Sequence, residues 1–438
     1  MDLTQLGGIL MKEYFPRYLD SIIEERLDMI GAIVIVGPKW CGKTTTAKKF
    51  AKSVLQLQDP DNIDSYMELS SFKPSKLLEG QKPRLIDEWQ NIPVLWDAVR
   101  TSVDEIGEDG LYLLTGSTVI DDKKIMHSGT GRISRILMKP MSLYESRESN
   151  GKIKFTDLFK NPEMDIDGIE SDLSIEDLIF AACRGGWPES LNKKSEKAKL
   201  FVVENYLQNI CEIDISAIDN VKRDSKKVYR FLKSYARNIS TLASNKTIIK
   251  DIKETYADFS ANTFVSYHNA LTRLFVIEDI DSWNPNIRSA SAMRSGPKRE
   301  FIDPSIAVAA MNLNPEGLLF DLNTFGFIFE TLCIRDLSIY TYEEGGTISY
   351  YRDKQGLEAD CIIHLKNEDY ALIEFKLGSN KIDEGAENLL KLDELIKRNI
   401  REKNLKMKEP KFLAVITGTK YAYTREDGVK VLPIGVLR

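Results

Sequence analysis

The chain of 438 residues has few cysteines and no long apolar run. Its five cysteines are scattered without the spacing of metal ligands, so we expect free thiols in a reducing cytosol. No apolar run is long enough to span a bilayer, and the first residues lack a basic stretch followed by an apolar one. These absences predict a cytoplasmic protein without a membrane segment.

The chain also lacks a strong net charge. Its formal charge of -6 gives no overall field that attracts nucleic acid, so any polyanion site must be a local patch. A content of 42% hydrophobic and 29% charged residues is typical of a globular chain that buries a core. The pattern of segments predicts four regions, which are an N-terminal domain at 1–150, a linker and helical connector at 151–225, a middle domain at 226–315 and a C-terminal domain at 316–438.

One stretch near the N-terminus carries the strongest signal. The β-branched run at 31–36 predicts a buried strand, and GPKWCGKTTT at 37–46 follows the P-loop pattern of Gly, four variable residues, then Gly-Lys-Thr. The glycines let backbone N–H groups surround phosphate oxygens, while the helix that begins near Lys43 points its positive end at the same anion. We therefore predict that a nucleoside triphosphate binds here, held by Gly37, Pro38, Lys39, Cys41, Gly42, Lys43, Thr44 and Thr45.

A second strand ends in two acids downstream of the P-loop, which is the Walker B arrangement. Asp87 is predicted to hold Mg²⁺ together with the Thr44 hydroxyl, and Glu88 to polarise the attacking water. An isolated Asp-Glu pair is usually surface charge, but the preceding P-loop favours the catalytic role. The stretch at 245–247 lacks the Asp of a guanine-specific signature, so we expect ATP with Mg²⁺.

The loop at 127–135 is glycine-flanked and carries two arginines. An arginine presented to a γ-phosphate contributes about 10³ to 10⁵ in rate. Arg132 is the candidate, acting in cis as a sensor or in trans across a homo-oligomer. Arg135 is the other arginine of the loop, and an ordinary surface role or a phosphate-free salt bridge is an equal alternative.

Several motifs together resemble a widespread archaeal and bacterial family with an AAA-type P-loop domain and a C-terminal domain of unknown function. The motifs are GPKWCGKTT, LIDEWQ, LLTGS, HSGTGR, MKPMSLYES, GGWPE, and EAD followed by EFKLG, and they cover essentially the whole chain. The resemblance implies an α/β fold with a parallel P-loop sheet and an ATPase related to signalling and DNA-linked AAA proteins. It also implies that Thr115 or Ser117, at the end of a strand, senses the γ-phosphate; a plain strand-to-turn transition is the alternative.

The segment 226–311 has the order of a winged helix, with three helices followed by two strands around a basic loop. The third helix begins at Ser260, and a DNA major groove would face its residues Asn262, Tyr267, His268 and Arg273. The basic residues of the wing, predicted to touch phosphates, are Arg288, Arg294 and Lys298. Because the third helix has few cations, a role in packing or protein contact is an equal alternative.

The C-terminal region predicts an αβββαβ order, with a hairpin that joins 339–342 to 347–352. Asp360, Glu374-x-Lys376 and Glu330 on the leading helix are similar to the PD-(D/E)xK nuclease pattern. This resemblance implies a restriction-endonuclease-like fold, in which Asp360 and Glu374 bind Mg²⁺ with Glu330 and Lys376 in support. Ala359 replaces the usual Pro, and a retired nuclease that binds nucleic acid or protein would keep the same pattern.

The sequence therefore predicts an ATP-hydrolysing AAA-type switch that couples its nucleotide state to a winged helix and a nuclease-like domain, acting on DNA or a DNA-associated partner. One alternative is an ATP-regulated, Mg²⁺-dependent DNA nuclease. The other is a slow nucleotide-gated scaffold that binds protein through a retired nuclease fold.

Overall fold

The computed structural model describes residues 14–117, 128–283, 296–403 and 407–438. His127 of the arginine loop and Arg288 and Arg294 of the predicted wing lie outside these residues. Among the described residues, no helix combines the length and the apolar character that a membrane crossing requires.

The N-terminal part of the chain forms a parallel sheet with the strand order β2-β3-β4-β1-β5. Its strands are β1 (Ala32–Val36), β2 (Ser53–Gln56), β3 (Arg84–Asp87), β4 (Tyr112–Gly116) and β5 (Ile133–Leu137). Every residue of β1 and β4 is buried, as expected for central strands that helices cover on both faces. The predicted α/β class and the parallel P-loop sheet are confirmed.

The helices described in this part of the chain are α1 (Leu19–Leu27), α2 (Lys43–Phe50), α3 (Ile63–Phe72) and α4 (Val94–Ile106). Helix α4 buries Leu95, Val99 and Val103, which repeat every four residues along one face. This packing makes α4 a cover for the sheet.

The middle of the chain is helical. Its helices are α5 (Asp157–Lys160), α6 (Ile175–Arg184), α7 (Pro188–Leu191), α8 (Glu196–Asn209), α9 (Ile215–Ala217), α10 (Ser225–Arg237), α11 (Asn245–Lys253), α12 (Ala261–Arg273), α13 (Pro304–Met311) and α14 (Pro315–Phe320). Side chains of Ser174, Ser195, Asp224, Ser244 and Ser260 cap helices α6, α8, α10, α11 and α12, so the sequence fixes where these helices begin.

A two-stranded ribbon follows α12 and replaces the regular strands predicted for the wing. Antiparallel bridges join Ile277 to Phe301 and Ile280 to Lys298. The ribbon therefore connects the three helices α10–α12 to α13 in the predicted order, but as isolated bridges.

The segment 151–172, predicted as a polar linker, packs instead against the C-terminal part of the chain. Ile153 forms a bridge with Leu437, and the rings of Phe155 and Phe159 lie against Phe412. The linker interpretation is wrong because this segment contributes buried apolar side chains despite its many acids.

The C-terminal part consists of a six-stranded mixed sheet and two long helices. The elements are α15 (Leu322–Tyr340), β6 (Thr347–Arg352), β7 (Glu358–His364), β8 (Tyr370–Lys376), α16 (Ile382–Lys403), β9 (Leu413–Thr417), β10 (Tyr423–Thr424) and β11 (Lys430–Pro433). The strand order is β10-β11-β9-β8-β7-β6, with β8, β9 and β11 parallel. One apolar core is shared between this sheet and the middle helices.

The predicted hairpin between 339–342 and 347–352 is wrong. Ile339 and Tyr340 end helix α15, and strand β6 pairs with β7 instead. Both side chains are buried in the core, so tertiary packing outweighs their preference for a strand. The αβββαβ order itself is present as α15-β6-β7-β8-α16-β9.

Candidate functional site

The P-loop lies between the end of β1 and the start of α2, at the carboxyl edge of the sheet. Gly37 and Gly42 have φ of 151° and 107°, which are backbone conformations that favour glycine. A Cβ on Gly37 would lie 2.1 Å from the carbonyl oxygen of Met138, so no larger residue fits there. The buried Lys43 ammonium donates to the carbonyls of Gly37 (3.0 Å) and Pro38 (2.7 Å). The loop is thus curled around the lysine.

Asp87 joins the P-loop to the neighbouring strand. Its Oδ1 accepts hydrogen bonds from Thr44 Oγ1 at 2.7 Å and from Thr115 Oγ1 at 2.6 Å. Thr115 Oγ1 in turn accepts from the backbone N–H of Glu88 at 3.0 Å. The predicted Mg²⁺ ligands and one of the two candidate sensors are therefore in direct contact.

Glu88 follows Asp87 in a left-handed conformation with φ of 56°. Its Oε2 accepts from Ser117 Oγ at 3.1 Å and from Gln90 Nε2. A Cβ on Gly116 would lie 3.1 Å from Gln90 Oε1, so this glycine leaves room for the amide. Ser117 thus contacts Glu88 while Thr115 contacts Asp87. The motif LIDEWQ contains Gln90, but nothing in its spacing indicated this contact.

Arg132 lies at the opposite edge of the sheet. It precedes β5, which runs parallel to β1, and its carbonyl accepts from the N–H of Ala32 at the start of β1. The five residues of β1 at about 3.3 Å each separate it from the P-loop by roughly 16 Å. Its Nε donates instead to Asp104 Oδ1 at 2.7 Å. The predicted role in cis is wrong, since an arginine before a parallel strand cannot lie at that strand's carboxyl edge.

Arg135 is not placed to act in cis on the γ-phosphate either. It pairs in register with Val34, in the middle of β1, and its side chain is exposed. For both arginines, a role in trans stays a prediction.

Arg17 holds the P-loop in place, and no motif in the sequence indicated this role. Its buried guanidinium donates to the carbonyl of Cys41 at 2.8 Å, to that of Lys139 at 2.7 Å and to Glu145 Oε1 at 3.0 Å. These bonds join α1, the P-loop and the segment after β5. The contacts are distant along the chain, so no local pattern could have predicted them.

A cavity of about 800 Å³ lies above the P-loop. Its walls include Lys43, Glu88 and Ser117 from the sheet domain, Tyr14 and Phe15 before α1, and Pro188, Lys193 and Val202 from α7 and its surroundings. The GGWPE motif therefore positions α7 over the P-loop. The volume falls in the range of small-molecule sites, and the curled loop with its lysine fits the phosphates of a nucleotide.

The GGWPE motif is fixed by close contacts that require glycine. A Cβ on Gly186 would lie 2.2 Å from the carbonyl oxygen of Met141. The N–H of Gly186 donates to Asp303 Oδ2 at 3.0 Å, and Trp187 Nε1 donates to Ser305 Oγ at 3.0 Å. The motif thus connects the segment after β5 to the start of α13.

A second cluster lies in the C-terminal part, where Glu330, Asp360, Glu374 and Lys376 border or approach one cavity of about 890 Å³. Lys376 Nζ lies 2.6 Å from Glu374 Oε2 and 3.7 Å from Asp360 Oδ2. The N–H of Phe375 donates to Asp360 Oδ2 at 3.0 Å. Burial raises the pKa of Glu374 well above its usual range. Three predicted carboxylates and the predicted lysine are thus close together.

Lys298 belongs to this cluster, which corrects its predicted role in the wing. Its ammonium donates to Glu330 Oε1 and to the Asp360 carbonyl at 3.1 Å, and it lies 3.7 Å from Asp360 Oδ1. Burial opposes its charge, but the Glu330 and Asp360 carboxylates outweigh burial and raise the pKa of Lys298. A lysine whose side chain is 8% exposed and contacts carboxylates does not touch DNA phosphates.

The C-terminal cluster does not fit a metal ion in this arrangement. Glu374 Oε1 is buried and accepts no hydrogen bond from any described residue, so one oxygen is available. The Lys298 ammonium, however, already bridges Glu330 and Asp360. Within 14–117, 128–283, 296–403 and 407–438, no group of three His, Cys, Asp or Glu side chains could hold a metal.

Helix α12 differs from the predicted recognition helix. Tyr267 is buried against the rings of Phe231 and Phe259, and His268 Nε2 lies 3.1 Å from Asp279 Oδ2. These two residues were predicted to face DNA, but they lie on the side of the helix that packs inward. Asn262 is exposed.

Three family models match separate parts of the chain. Residues 30–146 match an AAA domain, residues 175–317 match a domain of unknown function (DUF8612), and residues 325–437 match another (DUF4143). No protein of curated function matches the chain.

Three of the solved structures that match the chain are distantly similar to it. A Walker-type ATPase of Pyrococcus abyssi is 14% identical over 68% of this chain and 96% of its own, with a TM-score of 0.43. A DNA replication initiation factor is 12% identical over 58% and 92%, with a TM-score of 0.23. The Drosophila ORC bound to DNA is 12% identical over 64% and 89%, with a TM-score of 0.20. These values are too low to assign a fold or a function.

The AAA domain match covers the same stretch in which the P-loop, Asp87 and Thr115 contact one another. The part of the chain that is similar to an AAA domain is therefore also the part that forms the parallel sheet and the P-loop.

Proposed function

We propose that the protein is an ATP-hydrolysing switch whose nucleotide cavity is closed by the middle helices. The contact of Thr44 and Thr115 with Asp87, beside Glu88 at the cavity, is the observation that carries this proposal. Bound Mg²⁺ would neutralise phosphate charge, and Thr44 and Asp87 would hold it. The nucleotide phosphates would lie on residues 37–45.

Glu88 is the proposed catalytic base. Ser117 and Gln90 donate hydrogen bonds to its carboxylate and hold it in one orientation. The carboxylate can therefore accept a proton from water without a prior change of side-chain conformation. Thr115 fixes the backbone of Glu88 and the carboxylate of Asp87 at once, which makes it a positioning residue.

A buried charge network supports the coupling of the nucleotide cavity to the C-terminal part. Asp303 accepts from the N–H of Gly186 and pairs with Arg335 at 2.8 Å. Asp336, which also pairs with Arg335, accepts from the N–H of Leu143 at 2.9 Å. The network thus joins the segment after β5, the GGWPE motif and α15. A shift of α7 on nucleotide binding would therefore displace α15 through these ion pairs and hydrogen bonds.

Hydrolysis is tested with Glu88→Gln and Lys43→Ala in the full chain. We expect Glu88→Gln to bind ATP normally while its turnover falls by about 10²-fold or more, because only the proton acceptor is lost. Lys43→Ala should lose ATP binding. Lys48→Ala, an exposed lysine on the same helix, is the matched control and should keep both. Normal turnover in Glu88→Gln would refute the proposal, and ATP binding without any turnover in the unmodified chain would favour the scaffold alternative.

DNA contact is proposed on α10 and α11 in place of α12. Basic residues repeat at helical spacing along one face of α10, and α11 next to it has a second row; they are Lys226, Arg230, Lys233, Arg237, Lys246, Lys250 and Lys253. Such rows suit the phosphates of double-stranded DNA, since phosphate contacts need cations and no particular base.

The DNA surface is tested by the salt dependence of binding to duplex DNA. Combined replacement of Lys226, Lys250 and Lys253 by Ala should reduce the slope of log K against log salt by about 0.9 for each lost phosphate contact. The control replaces Lys391, Arg398 and Arg401 on α16 and should leave the slope unchanged. If both sets of substitutions reduced the slope equally, binding would depend only on the net charge of the protein. That result would contradict a DNA-binding surface on α10 and α11.

A further inference from the structure

We propose that Lys298 excludes divalent metal from the C-terminal carboxylate cluster, so that this cavity accepts a metal only when the ribbon that carries Lys298 moves away. The inference concerns the carboxylates of the nuclease-like pattern, but the residue to which it assigns a role lies outside that pattern. It gives the cavity a built-in cation in place of a resident metal.

The position of the ammonium is the first argument. It contacts Glu330 and lies 3.7 Å from Asp360 Oδ1, so it bridges the two carboxylates that flank this side of the cluster. Mg²⁺ needs oxygen ligands at about 2.0–2.1 Å in a near-octahedral arrangement. An ion bound to the same two carboxylates would have to lie where the ammonium now is.

Charge is the second argument. Glu330, Asp360 and Glu374 are balanced by two ammonium groups, those of Lys298 and Lys376. A divalent ion added within a few ångströms of both would be repelled by each of them in a site with little water to screen the repulsion. Removing Lys298 leaves the carboxyl groups of Glu330, Asp360 and Glu374 facing one lysine, and such a cluster would attract a cation.

The third argument is that the backbone of Lys298 belongs to the ribbon and not to β7 or β8, although the ribbon also meets the edge strand β6 where Ser282 pairs with Tyr350. Its backbone N–H donates to the carbonyl of Ile280 at 2.9 Å, and its carbonyl accepts from the N–H of Ile280 at 3.0 Å. Five residues later, Asp303 accepts from Gly186 beside the nucleotide cavity. The cation is therefore carried by the ribbon, whereas β7 and β8 carry Asp360 and Glu374.

The test measures Mn²⁺ binding by electron paramagnetic resonance in the full chain without nucleotide. Asp87→Asn is present throughout, to remove the metal-holding carboxylate of the ATP site. We expect Lys298→Met to tighten Mn²⁺ binding by about tenfold or more, because one repelling charge is gone. Adding Asp360→Asn should abolish the gain. Lys298→Arg, which keeps the positive charge, should bind Mn²⁺ no more tightly than the parent chain.

Lys381→Met is the matched control, because Lys381 lines the same cavity with an exposed side chain. It should leave Mn²⁺ binding unchanged. Thermal unfolding of each variant shows whether it is folded. Should Lys298→Met fail to fold, the chain with Lys298 intact still decides the question, since tight Mn²⁺ binding that depends on Asp360 would overturn the inference.

A folded Lys298→Met that binds Mn²⁺ no better than the parent would also overturn it. Neither result touches the proposed ATP switch, which depends on ATP binding and turnover at Lys43 and Glu88. The two proposals can therefore fail separately.

Discussion

Replacing Arg335 by Met should strongly destabilise the protein. The arginine lies 2.8 Å from Asp303 Oδ2 and 2.7 Å from Asp336 Oδ1, and its side chain is 2% exposed while both carboxylates are 0% exposed. Burial opposes the charge of Arg335, but Asp336 and Asp303 outweigh burial and raise its pKa, so the guanidinium remains charged. Methionine fills much of the same volume and removes only the charge and its hydrogen bonds.

The expected loss follows from the two carboxylates left behind. Breaking a buried ion pair by removing one partner costs about 3–5 kcal/mol, which is a large part of the 5–15 kcal/mol that typically stabilises a protein. Asp303 and Asp336 keep hydrogen bonds from Gly186 and Leu143, which places the loss in the lower part of that range. The loss should shrink as the pH falls, because protonation of a carboxyl group removes the uncompensated charge.

Urea unfolding followed by circular dichroism at pH 5 and pH 8 measures this loss. The control is Lys391→Met in the exposed pair of Lys391 and Glu387, whose side chains are 61% and 67% exposed. Such a pair contributes less than about 0.5 kcal/mol. A loss below about 1 kcal/mol for Arg335→Met, or one that does not depend on pH, would refute the reasoning.

Two further predictions concern single contacts. Gly186→Ala should lower the free energy of unfolding by about 1–3 kcal/mol and weaken ATP binding, because the added Cβ would displace Met141 and with it α7. Calorimetric melting and ATP titration measure the two effects. An unchanged ATP affinity would show that the position of α7 does not affect ATP binding. Burial lowers the pKa of His364 to about 4, so the unfolded chain takes up a proton first as the pH falls. Stability should therefore decline from about pH 6.5 to 4, and His364→Phe should remove about 1–2 kcal/mol of that decline in urea titrations, after allowance for partial exposure of the ring. If the stability of His364→Phe fell with pH as steeply as that of the parent chain, His364 would not be the source of the decline.

The sequence was most informative where function depends on neighbours along the chain. The P-loop pattern, the strand that ends in Asp87 and the strand that ends in Thr115 are local signals, and a parallel sheet brings their carboxyl ends to one edge. The same reasoning could have corrected Arg132, because that residue precedes its strand. Lys139, which follows the strand, is bonded through its carbonyl to Arg17 beside the P-loop.

The sequence was least informative where a side chain crosses between regions. Arg17 meets Glu145 across 128 positions, and Lys298 meets Asp360 across 62. Lys298 stood in a basic loop after a helix, so a solvent-facing position was the natural expectation. Its burial depends on how the ribbon packs on the C-terminal sheet, which hydrophobic periodicity does not encode.

These long-range contacts give the two cavities a physical connection. Pro188 lines the nucleotide cavity, and its neighbours Gly186 and Trp187 are bonded to Asp303 and Ser305 at the start of α13. The same stretch of chain, 298–305, begins with the lysine that fills the C-terminal cluster. Breaking the bonds of Gly186 and Trp187 would cost about 1 kcal/mol each or more in a buried site, so a displacement of α7 favours movement of the whole stretch. On the proposed function, a displacement of α7 would therefore be transmitted through residues 298–305 to the lysine in the C-terminal cluster.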